Sequence, residues 1–156
     1  GGTSAAKGLR RAASVTQFCS EREMDREVLI LFIDDEPLIF ETVRDALEDG
    51  GFAVRPEHTA NGAIKALEEC AGQLSGLVTD VNLGSDVTGW DIARRARELR
   101  PDLPIVYTSG YSSADWNALG VPHSMLVPKP YAPAQIVTAI SALINKAASQ
   151  LGPTPP

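Results

Sequence analysis

The sequence predicts an α/β fold: one doubly wound, five-stranded parallel sheet in the order 2-1-3-4-5, covered by helices on both faces to make three layers. Two observations predict it. Four short apolar runs, at 28–33, 77–79, 105–108 and 125–128, alternate with stretches of helical periodicity, which is how buried parallel strands read. Each run also ends on a polar residue: Asp34 and Asp35, then Asp80, Ser109 and Lys129. In open α/β sheets ligands sit outside the carboxyl ends of the strands, at the point where the strand order reverses. The pattern therefore directs three carboxylates, a hydroxyl and an ammonium at one crevice, a set suited to a divalent cation and a phosphoryl group.

The elements follow in order. The first strand is predicted at 28–33. The first helix covers 37–49, with Pro37 in its first turn and Leu38, Val43, Ala46 and Leu47 on one face. Gly50 and Gly51 stop it. A mixed strand at 52–57 reads as the sheet edge, because Pro56 has no amide hydrogen for a ladder. A second helix is expected at 61–71, with Ile64, Leu67 and Ala71 at core spacing, and a third strand at 77–79. Residues 82–88 form a loop, 89–99 a third helix ending before Pro101, and 105–108 the fourth strand. A short helix at 113–119 closes on Gly120. The fifth strand is at 124–127 and the last helix at 132–148, with Ile136, Val137, Ile140, Leu143 and Ile144 inward. Right-handed crossovers between parallel strands place the first and third strands together, so Asp34, Asp35 and Asp80 fall within a few ångströms of one another.

At 156 residues the chain suits one domain with a real core, and 44% hydrophobic with 22% charged residues is ordinary for a globular protein. Residues 1–26, rich in Gly, Ala, Ser and Arg, read as a linker or disordered segment; 27–147 form the domain and 148–156 a disordered tail. Net charge is −6, and residues 1–26 carry five basic against three acidic side chains, so the acidity lies in the domain. That argues against nucleic-acid binding. No apolar stretch reaches the ~20 residues of a membrane span, and none follows the basic residues at the N-terminus as a secretory signal requires. A cytoplasmic location is expected. Cys19 and Cys70 make no disulfide framework and read as reduced thiols, Cys70 on the inner face of a helix.

Singly, each polar residue has an ordinary explanation. Asp34 and Asp35 would serve as a helix cap and a solvated acid, Asp80 and Ser109 as turn residues, Lys129 as a loop lysine. His58 and His123 lack metal-ligand spacing, and Trp90 and Trp116 read as packing residues, with Trp116 the aromatic best placed to face a partner. Together, four segments resemble the response regulator receiver family, the CheY-like, flavodoxin-like domains of two-component signalling. They are Leu-Ile-Leu-Phe-Ile-Asp-Asp-Glu-Pro at 29–37, Val-Thr-Asp-Val-Asn-Leu at 78–83, Tyr-Thr-Ser-Gly at 107–110 and Pro-Lys-Pro-Tyr at 128–131.

The resemblance implies roles. Asp80 would accept the phosphoryl group. Asp35 would bind Mg²⁺ directly, Asp34 through metal-bound water, and Asn82 through its backbone carbonyl. Lys129 would neutralise charge on a phosphoryl oxygen, Ser109 would hydrogen-bond another and report phosphorylation, and the Lys129–Pro130 bond would be cis. The implied donor is a sensor histidine kinase or a histidine phosphotransfer protein. A downstream protein would dock on the face made by the fourth helix, fifth strand and fifth helix, and a homodimer is compatible with the sequence. Such a domain is a signalling switch that catalyses only its own phosphorylation and dephosphorylation. Two departures stand out. The loop 83–89 is about one residue longer than the common form, with Gly84 where proline is usual, which resembles receivers attached to hybrid sensor kinases and some stand-alone relatives. The family's switch aromatic is replaced by Leu126, leaving Tyr107 or Tyr111 as substitutes; Tyr111 is also a candidate gate for water. A Mg²⁺-dependent aspartyl-phosphate hydrolase would want an acid where Asn82 stands. A flavodoxin-like cofactor binder would want a phosphate-cradling loop where Asp-Asp-Glu-Pro stands. A phosphate-independent pseudo-receiver adaptor would not need the full residue set.

Overall fold

The computed structural model describes residues 28–110 and 113–151. Five parallel strands, β1 (Leu29–Ile33), β2 (Ala53–Glu57), β3 (Gly76–Asp80), β4 (Ile105–Ser109) and β5 (Ser124–Pro128), form one sheet in the order β2-β1-β3-β4-β5. This is the predicted order. The helices are α1 (Pro37–Asp49), α2 (Ala60–Cys70), α3 (Gly89–Leu99), α4 (Ser113–Leu119) and α5 (Pro133–Leu151), with a 3₁₀ turn at Ala71–Gln73. β2 is an edge strand, and Pro56 lies opposite Phe32. The last helix runs past the predicted 148 to Leu151, and the 3₁₀ turn takes Ala71 out of α2. The reading of 1–26 as a linker concerns residues outside those described.

The strand alternation sorts the core into two layers. Leu29, Leu31, Ile33, Leu77, Ile105 and Tyr107 pack under α2 and α3, while Ile30, Phe32, Val78, Val106 and Val127 pack under α1 and α5. β1, β3 and β4 are buried along their whole length, as a sheet covered on both faces requires. α3 begins at a complete capping box, Thr88 and Asp91 each satisfying the other's backbone N–H. Thr59 caps α2 through Gly62.

Two expectations are corrected. Leu38 is not in the core of α1 but 83% exposed; the buried residues are Phe40, Val43 and Leu47. Leu38 lies two residues before Phe40, about 200° round the helix, so it faces away when Phe40 stacks on Phe32 at 5.1 Å. Cys70 is on the inner face of α2 as expected, but it is disulfide-bonded and not a free thiol. Whether two sulfurs meet is decided by distance in three dimensions, which spacing along a chain does not give; Cys19 lies outside the described residues.

Candidate functional site

The C-terminal ends of β1, β3, β4 and β5 converge on an open cleft of about 400 Å³ lined by Asp35, Glu36, Asp80, Asn82, Ser109 and Lys129 among others. Register sets the convergence: Ile33 pairs with Thr79, so Asp34 and Asp80 end adjacent strands, and Asp80 pairs with Thr108, next to Ser109. Asp34 is fully buried. Its Oδ1 accepts the Glu36 N–H at 2.8 Å, its carbonyl accepts from His58 Nδ1 at 3.2 Å, and its own N–H donates to Glu57 O. Its Oδ2 is buried with no hydrogen-bond partner. Asp35 is exposed at the mouth of the cleft.

Asp80 is held from two sides. Lys129 Nζ donates to Oδ2 at 2.7 Å, and the Asn82 N–H donates to Oδ1 at 3.3 Å. Lys129 also lies 3.7 Å from Glu36 Oε1. The lysine is set by its backbone: its N–H donates to Ser109 O at 2.8 Å, and the Lys129–Pro130 peptide is cis, as expected. Ser109 is buried beside the cleft. Gly89, first in α3, lets that helix pass against the Asp80 carbonyl, which a Cβ would overlap; its N–H donates to Val81 O at 2.8 Å. Gly84, at φ 70°, turns the 82–88 loop over Asp35.

The three carboxylates Asp34, Asp35 and Asp80 offer oxygens within 4.8 Å of one another. Burial raises Asp34 to about 6, and the Asp80 charge adds to the shift while the Glu36 amide opposes it. Burial also raises Asp80, against the pull of Lys129. Lys129 loses hydration too, yet the surrounding Asp80, Asp34 and Glu36 hold its pKa above the ordinary value. The lysine is therefore charged, and it is shared among Asp80, Asp34 and Glu36. The site wants more positive charge. The unpartnered Asp34 Oδ2 and the all-oxygen donor set fit a hard divalent cation.

Sequence reasoning missed Glu36, which pairs with Lys129, and His58, which binds the Asp34 carbonyl and lies against Phe40 with ring centroids 4.6 Å apart. It also missed the Tyr131 hydroxyl, buried without a hydrogen-bond partner; burial and the nearby Asp34 raise its pKa. Glu36 was visible inside Asp-Asp-Glu-Pro; the other two needed the fold. Of the switch candidates, Tyr107 is fully buried and its hydroxyl accepts the Val121 N–H, Leu126 is half-buried, and Tyr111 lies outside the described residues.

Fold and site together define a doubly wound domain with an acidic cleft and one invading lysine. Residues 30–141 match the response regulator receiver domain, and the chain belongs to that family of two-component signalling modules. Among solved structures it resembles a response regulator receiver protein from Sinorhizobium medicae, with 39% identity and a TM-score of 0.74 over 78% of this chain and 97% of that one. A response regulator from Burkholderia pseudomallei, solved with a phosphorylated aspartic acid, calcium ion and citrate, is 25% identical at a TM-score of 0.62, over 81% of this chain and 74% of that one. The sensor kinase CckA of Brucella abortus is 24% identical over 80% of this chain but only 13% of its own length. Response regulator MprA of Mycobacterium sp. is 26% identical over 83% of this chain and 56% of its own. The chain thus spans little more than half of these curated relatives, or much less. Among the described residues no helix is long and apolar enough to cross a membrane.

Proposed function

We propose that Asp80 is the phosphoacceptor of a phosphorelay receiver, taking a phosphoryl group from a phosphohistidine on a sensor kinase or a histidine phosphotransfer protein. The carrying observation is the 2.7 Å contact of Lys129 Nζ with Asp80 Oδ2, beside two further carboxylates and Ser109 in one cleft. An Asp80 oxygen attacks phosphorus, the phosphorus–nitrogen bond to the donor imidazole breaks, and that nitrogen keeps the electron pair and takes a proton. Lys129 moves from the carboxylate to a phosphoryl oxygen, neutralising charge as it develops. Ser109 turns its hydroxyl to another phosphoryl oxygen.

Asp34, Asp35, Asp80 and the Asn82 carbonyl would hold Mg²⁺, with Asp34 acting through water. Bound there, the ion supplies the positive charge that relieves the three carboxylates and offsets the phosphoryl charge. The chain's own part is placement. β1 fixes Asp34 by its buried amide bond, β3 presents Asp80, and the β5–α5 turn aims Lys129. Phosphorylation would bias a two-state equilibrium of the α4–β5–α5 face, where Leu119 and Met125 are partly exposed and available to a downstream protein or a second copy. On this reading the domain is a cytoplasmic switch, acting by protein contact and not by turnover of a separate substrate.

The test is intact mass after incubation with acetyl phosphate and Mg²⁺, beside Asp80→Asn. One added phosphoryl group, dependent on Mg²⁺ and absent from the variant, is expected. An adduct that survives in Asp80→Asn would remove Asp80 from the role.

A further inference from the structure

Helix α4 is tied to the sheet by a continuous chain of hydrogen bonds that ends inside the core. Trp116 Nε1 donates to Ser124 Oγ at 2.9 Å; Ser124 Oγ donates to Val121 O at 2.7 Å; the Val121 N–H donates to Tyr107 OH at 3.1 Å. Tyr107, Val121 and Ser124 are all buried. The Trp116 ring fills the space over Gly120, where a Cβ would come within 2.5 Å of Cδ1, so no other residue type lets the ring close on this turn. Tyr107 itself is held by Trp90 of α3, ring centroids 4.5 Å apart. It lies two residues before Ser109 on β4, the same strand and the same side, about 7 Å away along it.

We propose that this chain is a latch joining the phosphorylation cleft to α4 through the Tyr107 hydroxyl. The inference rests on the receiver reading of the cleft and adds the route by which that site acts on the surface. Ser109 and Tyr107 share one short, fully buried strand, so strain set up when Ser109 engages a phosphoryl oxygen passes along the β4 backbone to Tyr107. The Tyr107 OH–Val121 N bond is the longest of the three and lies at the end that moves. Leaving a buried polar group unpaired costs free energy, which favours arrangements in which the Val121 N–H and the Tyr107 hydroxyl either hold each other or find other partners. The latch therefore has two arrangements, closed with Trp116 on Ser124, and open with α4 released. By reciprocity, an open latch favours the phosphorylated cleft.

The two tryptophans of the chain give two indole N–H signals in a nitrogen–proton NMR spectrum, with Trp90 as internal reference; Trp116→Phe assigns them. Beryllofluoride with Mg²⁺ serves as the phosphoryl mimic on the full chain. The expected result is a shift of the Trp116 signal and about tenfold faster exchange of the Val121 amide, the size of one hydrogen bond lost. In Tyr107→Phe the Trp116 signal starts at its shifted position and the mimic moves it no further. Ser124→Ala, remote from the cleft, gives the same open signature with the Tyr107 ring intact. The latch is refuted if Tyr107→Phe and Ser124→Ala respond to the mimic as the parent does, or if the parent's Trp116 is unmoved while the Asp80 adduct forms. Absence of any adduct or mimic binding, with Tyr107→Phe still shifting Trp116, would overturn the receiver reading and the coupling but not the hydrogen-bond chain.

Discussion

Asp34→Asn should make the metal-free domain more stable at neutral pH. Asp34 titrates at about 6 in the fold against 3.8 as a free group. At about 1.4 kcal/mol per unit, keeping it ionised when folded costs about 3 kcal/mol above pH 6. The fold binds this proton more tightly than the unfolded chain does. The stabilising contribution is thus complete below pH 4, declines as pH rises through 4 to 6, and is gone above. An asparagine keeps the Oδ1 acceptor for the Glu36 N–H but places an amide donor where the unpartnered Oδ2 lies. That buried donor meets no acceptor among the described residues, which takes back about 1 kcal/mol. The net gain is about 2 kcal/mol, roughly 8 °C in Tm for a domain of this size. Thermal melts of both proteins from pH 4.5 to 8, in chelator and then in millimolar Mg²⁺, measure it. In chelator the parent should lose stability across pH 4–6 more steeply than the variant. Mg²⁺ should raise the parent's Tm and leave the variant's nearly unchanged. A variant less stable than the parent at pH 7.5 without metal would refute the claim that burial strains this carboxylate.

Three further outcomes follow from the same geometry. Lys129→Met should slow phosphorylation from acetyl phosphate by roughly 10²–10³-fold, as the loss of one preorganised charge at the transferred group does, with the fold retained by circular dichroism. Gly89→Ala should destabilise by about 1–3 kcal/mol in urea melts and slow Asp80 phosphorylation, since the added Cβ overlaps the Asp80 carbonyl and has only backbone to displace. Thr88→Ala should cost about 1 kcal/mol by removing the α3 cap, with phosphorylation rates nearly unchanged.

The strand ends were legible because two periodicities and a handedness rule were enough. Apolar runs marked the strands, polar residues marked where each run stopped, and the right-handed crossover put β1 beside β3. Pro56 alone located the edge. Leu38 misled because an apolar residue in the first turn of a helix shows no face until the neighbouring Phe40 is seen to pack. Cys70 misled because sulfur pairing is a matter of distance.

The sequence by itself therefore determined the sheet order, the family, and that Asp34, Asp35 and Asp80 meet beside Lys129. Those depend on local pattern and on residue type at a strand end. The tertiary structure alone decided the roles that need two remote backbones to touch. Glu36 shares Lys129 with Asp80, His58 braces the Asp34 carbonyl, and Tyr107 reaches Val121 across the core. Such contacts are set by how side chains fill the space between packed elements, a property of the whole fold that no window along the chain contains.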